Sequence, residues 1–156
     1  EILGIGPNLV IGQPKEILDN MSECSKKAHA ISGLTQDVLF SKATVEFAEQ
    51  CTLNFVTTYS EKGKLQLHGN SSWRDRTFLE VDMPKLLDYL HYKMIDITSY
   101  KAKLIEWTNY PPFNKERGHR AFDDILKSIE ELRYYKKYLF ANKGTFINPN
   151  NSLATL

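Results

Sequence analysis

The sequence predicts an α/β fold. Two short aliphatic stretches, 65–68 and 92–97, read as strands, and segments of helical periodicity alternate with them. The longest periodic segment, 121–140, carries one apolar stripe of the kind that covers a sheet. At 156 residues, 42% hydrophobic and 25% charged, the chain has the length of one domain with its own core.

The elements follow in order. Residues 2–13 are apolar, β-branched and punctuated by Gly, and predict a strand or a bent strand pair. Pro14 suits the first position of a short helix over 15–21. A second short helix covers 22–31 and closes at Ser32-Gly33, with Gly33 as a left-handed cap. A third piece spans 35–40. Thr44 is a good N-cap and Glu46 an acid in the first turn, so 45–60 is an amphipathic helix with Ala48, Cys51, Phe55, Val56 and Tyr59 inward. A turn at 62–64 leads to strand 65–68, then a Gly69-Asn70-Ser71-Ser72 turn and helix over 73–81. Pro84 opens a helix to Leu90. Strand 92–97 is followed by helix 98–107, a loop with Pro111-Pro112 and Gly118, and the long helix. On the long helix Ala121, Ile125, Ile129, Leu132, Tyr135 and Leu139 are expected to form the buried face. Residues 141–156 read as a polar C-terminal tail.

Charge and cysteine content exclude several functions. Lys plus Arg is 20 against 19 for Asp plus Glu, so nucleic acid is not bound through bulk charge and needs a local site. No apolar run is long enough for a membrane helix. Cys24 and Cys51 are too few for a disulfide framework or a zinc site, which favours a reducing compartment. The first residue is Glu1 and no targeting peptide is visible, which suggests that a segment precedes it.

Three clusters carry candidate chemistry. Asp75 lies one helical turn beyond a strand and its Gly-Asn-Ser turn, where α/β sheets bind ligands; the same pattern fits an ordinary turn with Asp75 paired to Arg76. His119 and Asp124 open the long helix. With Ala121 at 0° and about 100° per residue, Asp124 falls near 300°, at the edge of the expected buried face, and Asp123 near 200°, in solvent. A His beside a half-buried carboxylate suits general-base work on water; a surface His and a dipole-stabilised acid fit as well. His91-Tyr92-Lys93, with Thr98 and Ser99, offers a cation and hydroxyls for a phosphate, or a sheet-edge aromatic with a snorkelling Lys. Two acids from distant segments suit a hard divalent cation, but such sites usually take three or four. His29 and His68 read as structural.

Together the segments resemble a known family. The run Gly69-Asn70-Ser71-x-x-x-Asp75-Arg76-x-Phe78-Leu79, Met83-Pro84, Leu90-His91-Tyr92-Lys93-x-Ile95-Asp96-Ile97 and His119-Arg120-Ala121-x-Asp123-Asp124-Ile125-x-x-Ser128-Ile129-x-Glu131-Leu132 resembles oligoribonuclease, a small 3′→5′ exoribonuclease of the DEDDh group. Asn20-Met21-Ser22 and His29-x-x-Ser32-Gly33-Leu34-Thr35 extend the likeness upstream, so that it covers about residues 2–140.

The resemblance implies a ribonuclease H-like fold, a mixed sheet flanked by helices, with the N-terminal strands missing from this sequence. It implies one exonuclease domain over 1–140, a homodimer, no membrane, and a mitochondrial or cytoplasmic place. It also implies degradation of short single-stranded RNA, chiefly dinucleotides, with two Mg²⁺ or Mn²⁺ ions. By position, Asp75 and Asp124 match metal-binding acids and His119 the general base. Ser71 and Thr98 match residues that cap the terminal phosphate of a dinucleotide. His91, Tyr92 and Lys93 match a segment reaching the neighbouring protomer's site, and His29 a substrate-site histidine.

Three departures stand out. The family's opening strand, Asp-x-Glu-Met-Thr-Gly, does not occur here, and the likeness begins just downstream of it. Cys24 stands where the family has a base-stacking Trp, and Lys93 where it usually has Arg. Without the opening strand, residues 2–13 are expected to leave an unpaired edge. An inactive relative serving as a structural or RNA-contacting subunit, and a DNA-trimming exonuclease, are the competing readings.

Overall fold

The computed structural model describes residues 2–108, 111–114 and 120–141. The elements run α1 (Lys15–Asp19), α2 (Glu23–Ile31), α3 (Leu34–Phe40), α4 (Val45–Thr57), β1 (Leu67–Gly69), α5 (Ser72–Asp82), α6 (Pro84–Tyr89), β2 (Met94–Asp96), α7 (Ile97–Thr108) and α8 (Ala121–Ala141). The expected tail beyond residue 141 lies outside the described residues.

The sheet is smaller than expected. Among the described residues it has two parallel strands, with Leu67, His68 and Gly69 opposite Met94, Ile95 and Asp96. A parallel pair needs a crossover, and α5 and α6 supply it, α5 packing on both strands. Helix α7 packs on β1 and α8 on α7. The buried apolar residues are Leu18, Ala48, Leu86, Ile97, Leu104 and Tyr135. The mixed sheet of the sequence reading is not observed among these residues.

Residues 2–13 correct the expectation of a strand. They form a strap whose one ladder contact among the described residues is the parallel bridge between Ile11 and Ala43, with Gly12 N–H donating to the Ala43 carbonyl at 2.9 Å. Alternation specifies two faces, but a strand also needs a neighbour along its whole backbone, and Gly4, Gly6 and Pro7 weaken any ladder there. The strap instead lies on aromatic rings: Gly4 sits against Tyr59 and Phe55, and Gly6 against Phe55. Gly12 has no room for a side chain, because a Cβ would collide with the Ser41 carbonyl oxygen.

Local signals set the helix ends. The hydroxyls of Ser22 and Thr44 accept from the N–H groups of Ser25 and Phe47. Gly33 takes φ +71° between α2 and α3, the left-handed conformation expected of it. Helix α6 is capped from a distance. The carboxylate of buried Glu49, on α4, accepts from Lys85 N–H at 2.7 Å and Leu86 N–H at 3.0 Å.

The buried face of α8 is turned from the expected one. Glu131 and Tyr135 are buried, while Ile125 is 57% exposed. On the same wheel Glu131 and Tyr135 fall near 280° and 320°, so the face centres about 80° from the predicted stripe. Asp124 then lies within it and is half-buried, whereas Asp123 is exposed. The cause is a polar tether at the strand end.

Candidate functional site

The site forms where β1 and β2 end side by side. The chain leaves β1 through Asn70 and Ser71. Ser71 adopts φ +56°, the one left-handed non-glycine among the described residues. Such a residue costs about 1–2 kcal/mol and persists only when its surroundings hold it. Asp96, the last residue of β2, does so. Its Oδ1 accepts from Ser71 N–H at 3.0 Å and from Thr98 N–H at 2.9 Å, so one oxygen caps the start of α7 and pins the turn. Thr98 Oγ1 also accepts from Ser71 N–H at 3.1 Å.

Asn70 links this turn to α8. Its Nδ2 donates to Ser128 Oγ at 2.9 Å and to Glu131 Oε2 at 3.0 Å, and its Oδ1 accepts from the Thr98 hydroxyl at 3.3 Å. Ser128 Oγ in turn donates to the Asp124 carbonyl at 2.7 Å. Glu131 is 1% exposed, and Lys101 Nζ on α7 lies 3.6 Å from its Oε1. This tether turns α8 so that Ser128 and Glu131 face inward and Ile125 outward.

Asp75 occupies the first turn of α5, at the surface, with its carboxyl leaning back toward Gly69. Desolvation on that side pushes the carboxyl above its ordinary value of 3.8, and the neighbouring Asp96 carboxylate adds to the rise; the backbone N–H of Asp75 itself pulls the other way. Two acids crowded at a helix start make a place that a cation would relieve. Carboxylate oxygens, such as those of Asp75, are the donor type that a hard divalent ion takes. The number of donors falls short, since among the described residues no group of three or more His, Cys, Asp or Glu side chains could hold a metal.

The structure brings Ser71, Thr98, Asp75 and the backbone of Asp124 to one strand end. It does not bring His91, Tyr92 and Lys93 there, because they precede β2 and sit at its opposite end. They form their own exposed stack: the His91 and Tyr92 rings lie 4.5 Å apart, Lys93 Nζ is 5.7 Å from the Tyr92 ring, and Lys93 N–H donates to His91 Nδ1. His29 lies half-buried in the last turn of α2. That end of α2 is held near the front of α8 by Arg120, whose Nε donates to the Ser32 carbonyl at 2.9 Å and Nη2 to Asp37 at 2.6 Å. His119 lies outside the described residues. A groove of about 340 Å³, lined by residues including Asp96, Tyr100, Lys103 and Trp107, borders the site along α7.

The exonuclease family matches residues 1–132. The chain belongs to the exonuclease family. Relatives within it include the mitochondrial oligoribonuclease of Mus musculus, 42% identical over 147 residues, which are 91% of this chain and 61% of that protein. A probable oligoribonuclease of Dictyostelium discoideum is 43% identical over 86% of this chain and 72% of its own length. The oligoribonuclease of Francisella tularensis is 41% identical over 85% of this chain and 75% of its own. The chain thus spans less than two thirds of the mouse protein. Family membership fits the ribonuclease H-like α/β class expected from the sequence.

Asn70, Asp96, Lys101, Ser128 and Glu131 were not singled out for a role by sequence. One signal was available: Glu131 interrupts the apolar run Ile129, Leu132 and Tyr135, and an acid inside such a stripe calls for a buried partner.

Proposed function

We propose that the whole protein carrying this sequence is a 3′→5′ exoribonuclease that degrades very short RNAs, chiefly dinucleotides, to mononucleotides. The observation that supports the reading is the tether from Asn70 through Ser128 to the Asp124 carbonyl, which joins the helix of the second acid to the turn that leads into the helix of Asp75. The oligoribonuclease names of relatives more than 40% identical support the same reading.

In this proposal Asp75 and Asp124 are among the ligands for Mg²⁺ or Mn²⁺. When bound, the ions would neutralise charge building on the phosphate and the departing oxygen. His119 takes the proton of the attacking water as general base. Ser71 and Thr98 offer hydroxyls to the far phosphate of a dinucleotide and so limit length. His91, Tyr92 and Lys93 serve the site of a second copy in a homodimer, and His29 stands on the substrate side. Lys93 keeps the charge of the usual Arg without its two-pronged grip. A mitochondrial place follows the naming of the mouse, human and bovine relatives.

The test is hydrolysis of a 5′-phosphorylated RNA dinucleotide with Mg²⁺ by the whole protein. Turnover is expected, and His119→Ala should cost on the order of 10²–10⁴-fold, the usual contribution of a general base. Asp124→Ala should lose turnover while Asp123→Ala keeps it. Absence of turnover, with RNA still bound, would favour the reading of an inactive, RNA-contacting relative, which the incomplete donor set among the described residues also fits.

A further inference from the structure

We infer that Asn70 is a positioning residue whose side-chain amide sets the two acid-bearing helices and the Thr98 hydroxyl in one register. The inference rests on the exoribonuclease reading and deepens it. Asn70 spends both amide hydrogens on α8, at Ser128 Oγ and Glu131 Oε2, and its carbonyl on Thr98 at the start of α7. Its orientation follows from the partners: the flipped amide would turn its carbonyl oxygen toward the Glu131 carboxylate.

The three elements joined at Asn70 carry the site. Asn70 and Ser71 lead directly into α5 and Asp75. Thr98 opens α7. Ser128 passes the connection to the Asp124 carbonyl, one turn earlier on α8. Helix packing alone would tolerate a sliding α8, because an apolar contact is non-directional. A buried carboxylate and amide have directions, and they are satisfied in one register. Burying Glu131 at 1% exposure is a weak source of stability compared with an apolar pair of the same volume. Registry is the role that such buried polar groups are best known to serve.

The test uses the whole protein and the near-isosteric change Asn70→Asp, which sets a second carboxylate against Glu131. At a temperature where circular dichroism reports a folded protein, kcat on the dinucleotide should fall on the order of 10²-fold, the cost of misplacing reacting groups by about 1 Å. KM should rise as well, because repulsion from Glu131 shifts the turn that carries Ser71 and the acceptor of Thr98; simple loss of folded protein lowers kcat and leaves KM unchanged. Adding Glu131→Gln to Asn70→Asp restores a donor opposite an acceptor. The double variant should recover at least about tenfold in kcat/KM, a coupling typical of contacting residues.

Wild-type kinetics in a folded Asn70→Asp protein, or a double variant no better than the single, would overturn the inference. Should Asn70→Asp fail to fold, Ser128→Ala decides, and unchanged kcat and KM would overturn it. If the wild-type protein hydrolyses no RNA, the functional reading fails separately. Hydrogen exchange then tests the register: in Ser128→Ala, amides 121–128 should exchange faster while those of α4 hold their rate, and a uniform change would overturn the inference.

Discussion

Glu49→Ala should destabilise the protein by about 2–3 kcal/mol, a figure that comes from accounting for the first turn of α6. A helix start leaves its first N–H groups without partners inside the helix. In α6, Pro84 has no N–H, and Leu87 N–H already bonds the Met83 carbonyl. Lys85 and Leu86 remain, and both donate to Glu49 Oε1. Truncation lets water reach the Lys85 amide, since that residue is exposed, but Leu86 is only 5% exposed and its N–H is stranded. A stranded buried donor costs about 1–3 kcal/mol. Losing a negative charge at a helix start adds about 0.3–1 kcal/mol. Glu49→Gln keeps an acceptor and should cost about 1 kcal/mol or less, essentially the dipole contribution. Equilibrium urea unfolding followed by far-ultraviolet circular dichroism measures both. An alanine variant within about 0.5 kcal/mol of wild type, the usual range for surface substitutions, would refute the capping argument. So would a glutamine variant as unstable as the alanine one.

Two further outcomes are expected. Gly33→Ala should cost about 1 kcal/mol in the same unfolding experiment, because a Cβ there meets only Arg120 Nη2 at 3.6 Å and the penalty is that of φ +71° alone; a neutral substitution would mean that the turn relaxes. Asp75→Asn should raise Tm at pH 7 in metal-free buffer. The folded protein lifts the Asp75 carboxyl above its ordinary value, so ionisation there opposes folding at any pH above the folded value. The benefit of the amide should therefore fade as pH falls through the carboxylate range and vanish near pH 3; an equal rise at both pH values would contradict the assigned electrostatics.

Local chemistry was legible and long-range polar chemistry was not. Helix ends at Thr44, Pro84 and Gly33 appear where the sequence places them, because a cap, a ring and a missing Cβ act within a few residues. Asp124 is half-buried and Asp123 exposed, as the wheel orders them, since about 100° separates their directions. Ile125 breaks the pattern. Its hydrophobicity argues for burial, but the directional bonds from Asn70 to Ser128 and Glu131 rotate the helix away from the apolar optimum. Those bonds span 58 and 61 residues, and no periodicity records them. Residues 2–13 fail for a related reason. Alternation is a property of one segment, and a strand is a property of two.

The clasp of Arg120 on Ser32 and Asp37 has an evolutionary consequence. It fixes where α8 begins by reference to the α2–α3 joint, while Lys101 and Glu131 fix α7 against the same helix further along. Beyond these, the Tyr134 hydroxyl donates to the Pro111 carbonyl at 3.1 Å and Phe113 N–H donates to the Tyr135 hydroxyl at 3.2 Å. Descendants of this gene that lose Arg120 or Glu131 give up a fixed point of the helix, so the two positions are expected to resist drift together.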